Sequence, residues 1–298
     1  GAVLARMKKA KITYPGGCEI GQRPINLHLH GLKQLGVVIN EAHGYLECEA
    51  ANMTGADIHL DYPSVGATEN IMLAATRAKG QTVIRNAAKE PEIVDLQNFI
   101  NSMGGRVCGA GSNTIAIDGV EHFHETEYTV IPDRIVAGTY LVAAAITGSE
   151  IVVHNVNMEH IQAIVTKLRE TGCMITPFQH SVKIKAPQRL WAIENTKTYP
   201  YPGFPTDMQA LLMSVLSVAK GTSIITENIF ENRFKHVPEL IRMGANIRTE
   251  GKIAVIQGVP DLKGAEVSAG DLRGGAALVM AGLKAEGETV VDNIHHID

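Results

Sequence analysis

The sequence predicts an α/β fold built from repeated units, an inside-out α/β barrel in which helices are buried and sheets lie outside. Three features point there. A helix-ending phrase recurs as LKQLGVVI, INSMGGRV, LRETGCMI and LIRMGANI, with its glycine at Gly36, Gly104, Gly172 and Gly244. A second phrase, in which a small-residue helix runs through glycine into a β-branched strand, recurs as AKGQTVIRNA, ITGSEIVVHN, AKGTSIITEN and AEGETVVDNI, with Gly80, Gly148, Gly221 and Gly287. The helices that feed this second phrase are apolar or small around nearly their whole circumference, the mark of a helix enclosed on all sides. The first set of glycines is spaced 68, 68 and 72 residues apart, and a fixed period of this kind means repeated supersecondary units. Helices inside and strands outside invert the usual α/β barrel and argue against an ordinary Rossmann sheet or β/α barrel.

Along the chain, YPGGCEIGQRP comes first. A cysteine is most often a small buried filler, but Pro15, Gly16, Gly17, Gly21 and Pro24 are turn formers that put the Cys18 thiol on a loop. Arg23 favours the thiolate if the loop folds back. Each unit then reads as helix, strand, helix and strand hairpin, with glycine supplying the left-handed cap between helix and strand. The enclosed helices are ENIMLAATRA, GTYLVAAAIT, MQALLMSVLSVA and GGAALVMAGLKA. NTIAIDGV and KIAVIQGV read as closing strands of alternate units, with Gly119 and Gly258 two periods apart. Before each enclosed helix stands a capping or anionic residue, Ser64, Asp133, Asp207 or Asp271; for each, a helix cap and a functional role are both open. Four such helices starting near one another would gather positive dipole ends suited to phosphates.

Composition bounds the function. The chain has 298 residues, 45% hydrophobic and 19% charged, enough for two ordinary domains. Its net charge of −4 offers no basic patch for nucleic acid. The longest apolar stretches, such as YLVAAAITG and ALLMSVLSVA, fall short of the roughly 18 to 20 residues that span a bilayer, so no membrane association is expected. Cys18, Cys48, Cys108 and Cys173 form no CxxC pair, which argues against a disulfide framework or a zinc site and for a reducing cytoplasm. The start at Gly1 and the stop after NIHHID lead us to expect a longer native chain at both ends.

The motifs PGGCEIGQRPINLH, AAKEPEIVD, FPTDMQA, FENRFKHVPELIRMGA and DLRGGAALV, with AEGETVV and HID after them, resemble those of the UDP-N-acetylglucosamine 1-carboxyvinyltransferases, also called UDP-N-acetylglucosamine enolpyruvyl transferases. The resemblance runs the whole length. It implies βαβαββ repeats in two domains, each a set of three, with buried helices and outer sheets; this chain holds about four of the six. Residues 1–132 would be a partial first domain carrying the cysteine loop, and 133–298 a second domain shortened at its C-terminus. The implied reaction moves the enolpyruvyl group of phosphoenolpyruvate onto the 3′-hydroxyl of UDP-N-acetylglucosamine and releases phosphate. It needs no metal and no cofactor, serves peptidoglycan precursor synthesis in the cytoplasm, and calls for no obligate protein partner.

By the same resemblance, Cys18 acts as general acid at the phosphoenolpyruvate methylene, can form a covalent phospholactoyl adduct, and is the target of fosfomycin. Asp207 is the general base beside the sugar hydroxyl. Arg23, Arg233 and Arg273 contact substrate anions or order the closed site, a task suited to a permanently charged fork of donors. Arg23, Pro24, Ile25, Asn26 and Leu27, together with Tyr62, Pro63, Ser64 and Val65, hold the nucleotide, and Ile229 adds another contact to the nucleotide sugar. Asn26 stands where members usually carry Asp, and Tyr62-Pro63 where some carry Lys-Val. A 5-enolpyruvylshikimate-3-phosphate synthase would share the repeats but lacks the cysteine loop; a scaffold that binds without catalysis is the other alternative, since fold alone does not fix function.

Overall fold

The eight repeat glycines all take the left-handed backbone: φ is +85°, +91°, +95° and +94° at Gly36, Gly104, Gly172 and Gly244, and +86°, +69°, +116° and +91° at Gly80, Gly148, Gly221 and Gly287. A Cβ disfavours that region, so glycine is what lets each helix stop and turn into a strand. The computed structural model describes residues 1–14 and 25–297, which divide into two units, residues 1–14 with 25–131 and residues 132–297.

The first unit runs α1 (Ala2–Met7), β1 (Lys9–Thr13), α2 (Asn26–Gln34), β2 (Val38–Ala42), β3 (Tyr45–Glu49), β4 (Asp57–His59), α3 (Val65–Ala75), β5 (Gln81–Arg85), α4 (Pro91–Ser102), β6 (Arg106–Cys108) and β7 (Thr114–Asp118). The second runs α5 (Arg134–Thr147), β8 (Glu150–His154), α6 (Gln162–Glu170), β9 (Met174–Phe178), β10 (Ser181–Lys185), β11 (Asn195–Lys197), α7 (Gln209–Ser217), β12 (Thr222–Thr226), α8 (Val237–Arg242), β13 (Asn246–Glu250) and β14 (Ile253–Gln257). It ends with β15 (Glu266–Ser268), α9 (Leu272–Lys284) and β16 (Val290–Asp292).

Each unit repeats the same two sheets. One has three antiparallel strands, in the order β1-β3-β2 in the first unit and β8-β10-β9 in the second. The other has four, β4-β5-β7-β6 and β11-β12-β14-β13, with the first pair parallel and the rest antiparallel. Even the register repeats: the residue after the repeat glycine pairs with the residue before the closing glycine, Gln81 with Asp118 and Thr222 with Gln257. The strands thus lie in separate sheets rather than one closed barrel, and β15 with β16 begins the four-stranded pattern once more.

The sheets turn one face out and press the other onto the helices, as the alternating burial of β3, β5 and β14 records. Helix α7 is buried at every residue, and α3 exposes none. Helices α5 and α9 depart from the expected all-round enclosure, for Val136 and Tyr140 on one and Leu272, Val279 and Leu283 on the other stay exposed. Helices α5, α7 and α9 pack against one another, and of the three only α7 is enclosed at every residue. Three of the four helix starts therefore gather in the second unit, while α3 belongs to the first.

Backbone runs against backbone where each four-stranded sheet closes. A Cβ added at Gly119 would sit 1.7 Å from the Ala78 carbonyl oxygen, and at Gly258 1.6 Å from that of Ala219. Main chain cannot swing aside as a flexible side chain can. We expect Gly258→Ala to lower stability by about 3 kcal/mol, the upper range for overpacking. Gly44→Ala, at φ +78° with nothing within 4 Å, should cost only about 1 kcal/mol. Urea midpoints of the two variants check this, and equal losses would refute the clash.

Candidate active site

Helix α7 cannot carry an exposed polar face, so its chemistry collects at its start. Pro205 breaks the chain before it, and a short 3₁₀ turn, Thr206–Met208, intervenes. That turn changes the role of Asp207. Ser64, Asp133 and Asp271 do cap their helices, Ser64 accepting from Ala67 N, Asp133 from Ile135 N and Val136 N, and Asp271 from Arg273 N and Gly274 N. Asp207 caps nothing.

Two arginines hold it instead. Arg233 Nη2 donates to Asp207 Oδ1 at 2.8 Å, and Arg273 Nη2 donates to Oδ2 at 3.3 Å. The side chain of Arg233 is only 4% exposed, whereas Asp207 is 40% exposed. The result is a carboxylate at the surface with one guanidinium against each oxygen, and with further lone pairs turned outward. Arg233 also lies over the Phe230 ring, 5.5 Å from its centroid.

A second carboxylate sets this one in place. Glu227 is 1% exposed, yet its Oε1 accepts from Thr198 Oγ1 (2.9 Å), Ile229 N (2.8 Å) and Phe230 N (3.1 Å), and its Oε2 from Thr206 Oγ1 (3.0 Å). Four donors are what a buried carboxylate needs. They tie the turn holding Ile229 to the residue before Asp207. Asp271, 3% exposed, performs the matching task for Arg273 by fixing the first turn of α9. Gly274 follows from this crowding, since a Cβ there would come within 2.8 Å of Asp271 Oδ2 and 3.2 Å of His236 Cβ.

His236 is the second unforeseen member. It is wholly buried beside Arg233 and Asp271, and burial pushes its imidazole down to about 4; the Arg233 charge adds to that effect, while Asp271 and the nearby Arg233 backbone oppose it. The ring is neutral at physiological pH. Glu227 and His236 both stand in or beside the FENRFKH stretch, but their roles rest on burial and on partners about 30 residues away, which no local spacing reveals.

In the first unit, α2 and α3 approach closely enough that a Cβ at Gly66 would be 3.3 Å from the His28 ring, and Asn70 Nδ2 meets His28 Nδ1 at 3.3 Å. This brings Ile25, Asn26 and Leu27, at the start of α2, to the same end as Ser64 and Val65 at the start of α3. Tyr62 is 43% exposed and Pro63 half-buried. Ser64 is spent on its cap, and its carbonyl accepts from Thr68 Oγ1. Cys18, Arg23 and Pro24 lie outside the described residues. No helix among the described residues is long and apolar enough to cross a membrane.

A model of the EPSP synthase (3-phosphoshikimate 1-carboxyvinyltransferase) family matches residues 1–298. UDP-N-acetylglucosamine 1-carboxyvinyltransferase 2 of Caldanaerobacter subterraneus subsp. tengcongensis is 61% identical over 298 residues, 100% of this chain and 72% of that one. UDP-N-acetylglucosamine 1-carboxyvinyltransferase 1 of Symbiobacterium thermophilum is 58% identical over 100% of this chain and 68% of its own. Among solved structures, the enolpyruvyl transferase NikO from Streptomyces tendae superposes with a TM-score of 0.86 at 22% identity, over 99% of this chain and 71% of that one. EPSP synthase from Acinetobacter baumannii gives 0.70 at 21%, over 99% and 72%. These two likenesses establish the fold.

The buried histidine makes stability depend on acid. Unfolding returns it to an ordinary value near 6.5, so below that pH the unfolded chain binds the proton more readily and the folded state loses ground. The stability present above about pH 6.5 should fall steadily toward pH 4, by on the order of 3 kcal/mol from this group alone. Urea unfolding from pH 7 to 4 tests it against His236→Asn, in which the loss should shrink by that amount. Parallel curves for the two proteins would remove His236 as the cause.

Proposed function

The chain belongs to the EPSP synthase (3-phosphoshikimate 1-carboxyvinyltransferase) family, and on that basis we propose that it transfers the enolpyruvyl group of phosphoenolpyruvate to the 3′-hydroxyl of UDP-N-acetylglucosamine. Phosphate is the leaving group. Relatives 51–61% identical over the full chain bear the name of that activity, whereas the likeness to EPSP synthase structures, at 21%, concerns fold alone. The place of the reaction is the cytoplasm and its product a peptidoglycan precursor. Residues 1–132 and 133–298 are taken as parts of the two domains of such an enzyme.

The observation that carries the reading is the state of Asp207, a 40% exposed carboxylate released from capping and held by Arg233 and Arg273. In the reaction, the sugar 3′-oxygen bonds to C2 of phosphoenolpyruvate and gives its proton to Asp207. The Cys18 thiol delivers a proton to C3, so the methylene becomes a methyl group and a tetrahedral ketal forms. Loss of a C3 proton then expels phosphate and restores the double bond. Arg233 and Arg273 serve twice, holding the base and offering donors to the anionic groups, with Arg23 joining them. Pro24, Ile25, Asn26, Leu27, Tyr62, Pro63, Ser64, Val65 and Ile229 are assigned to the nucleotide sugar.

Two experiments test this. Asp207→Asn keeps an acceptor for one arginine but loses the base; we expect nucleotide-sugar binding to persist while turnover falls by on the order of 10² or more. Turnover within a few-fold of wild type would overturn the assignment. For Cys18, fosfomycin should alkylate it in preference to Cys48 and Cys173, which are buried, and to exposed Cys108, with UDP-N-acetylglucosamine speeding the reaction. Peptide mapping that finds even labelling, or no effect of the nucleotide sugar, would return Cys18 to the role of filler.

A further inference from the structure

The carboxylate of Glu227 divides its hydrogen bonds unevenly. Oε1 takes three, from Thr198 Oγ1 and from the main-chain N–H groups of Ile229 and Phe230. That oxygen is fixed by its own neighbourhood: Glu227 follows directly on β12, Thr198 follows on the paired strand β11, and the Thr198 hydroxyl accepts from Asn228 N at 2.8 Å. Closing the 227–230 turn needs no more than this. Oε2 has a different partner, the hydroxyl of Thr206 at 3.0 Å, 21 residues earlier in the chain. A bond that the local turn does not require, made by a carboxylate only 1% exposed, has its reason outside the turn.

Thr206 opens the 3₁₀ turn that carries Asp207. The main-chain bonds of that turn, Met208 N to Pro205 O and Gln209 N to Thr206 O, close it on itself without fixing it against β12, and 3₁₀ hydrogen bonds have poor geometry. The Thr206 hydroxyl supplies the sideways tie. Asp207 is held at its other end from the same segment as Glu227, since Arg233 donates to Oδ1 at 2.8 Å with its guanidinium over the Phe230 ring, and Phe230 N is one of the donors to Glu227. The contacts form a closed circuit, from Glu227 to Thr206, along the chain to Asp207, across to Arg233, onto Phe230 and back to Glu227. We propose that Glu227, through the Thr206 hydroxyl, is the positioning residue for Asp207 and sets the backbone from which its carboxylate reaches Arg233. The consequence for turnover rests on Asp207 being the base of the proposed reaction, and it falls on two side chains, Glu227 and Thr206, that are not assigned to either substrate.

The test compares, in the complete enzyme, Thr206→Val, which removes the hydroxyl and keeps the branched shape, with Thr206→Ser, which keeps the hydroxyl. Since a small misplacement of a reacting group is costly in rate, Thr206→Val should lose at least about tenfold in kcat with KM for UDP-N-acetylglucosamine within about twofold. Thr206→Ser should stay within about threefold of wild type. Equal kcat in the two variants, or a rise in KM with kcat kept, overturns the positioning role. Thr206→Val placed on Asp207→Asn should add less than about twofold, because a base already lost cannot be displaced. A further loss of about tenfold there would show an action elsewhere and overturn the proposal too. Crystal structures of the variants give a readout apart from turnover: Asp207 Oδ1 should leave hydrogen-bond reach of Arg233 Nη2 in Thr206→Val and keep it in Thr206→Ser. An unmoved Asp207 in Thr206→Val refutes the proposal, and Thr206→Ala replaces that variant if it does not fold. Should Asp207→Asn keep full turnover, the base assignment fails, while the crystal structures still decide whether Glu227 and Thr206 place the carboxylate.

Discussion

Helix α7 has no side in contact with water: Gln209 through Ser217 are all buried. A helix so enclosed satisfies its own backbone, but any other polar group must find a partner within the protein or stand at an end. Ser214 and Ser217 obey the first condition by donating to carbonyls one turn back, and Ser214 also reaches the Ala277 carbonyl of α9. Asp207 obeys the second. The enclosure that stabilises the unit therefore also decides where its exposed carboxylate is placed, and the small residues of α5 and α9 let those two helices pack against α7.

The periodicity was legible because its cause is local. A helix that must reverse into a strand within one residue needs positive φ, and glycine is the residue that tolerates it, so the eight phrases declare the repeat before any tertiary contact is known. The closing glycines were legible only as a pair, since the reason for them is a carbonyl some forty residues earlier. Capping shows the limit of local reading. The same signal, a small or acidic residue before an enclosed helix, stands at four places; at three it is a cap, and at the fourth Pro205 and the 3₁₀ turn draw Asp207 out of register with the helix. That shift, unreadable from the residue type, frees its carboxylate.

Glu227 and His236 were not legible at all. Each sits in a stretch whose local pattern fits an ordinary strand end or helix start, and each acquires meaning only through burial. Glu227 shows this best: its partners Thr198 and Thr206 lie 29 and 21 residues away, and without the fold it reads as a surface acid. Buried polar groups of this kind specify geometry more than they add stability, and Glu227 and His236 do so behind Asp207 and Arg233.

The asymmetry between Arg233 and Asp207 completes the argument. Coulomb attraction between a buried guanidinium and a half-exposed carboxylate is softened by solvent on one side only. The cost of separating them falls on Arg233, because the arginine cannot reach water while the carboxylate can. Arg233 is thus bound to its place, and Asp207 keeps an outward edge on which a hydroxyl can be received. Arg273, 26% exposed, is the looser of the two cations and the one with donors nearest solvent. A buried cation, a part-exposed cation and a carboxylate between them form an arrangement that can hold the carboxylate steady while the more exposed arginine offers donors to an anion, and a lysine in either position could not supply such forked donors.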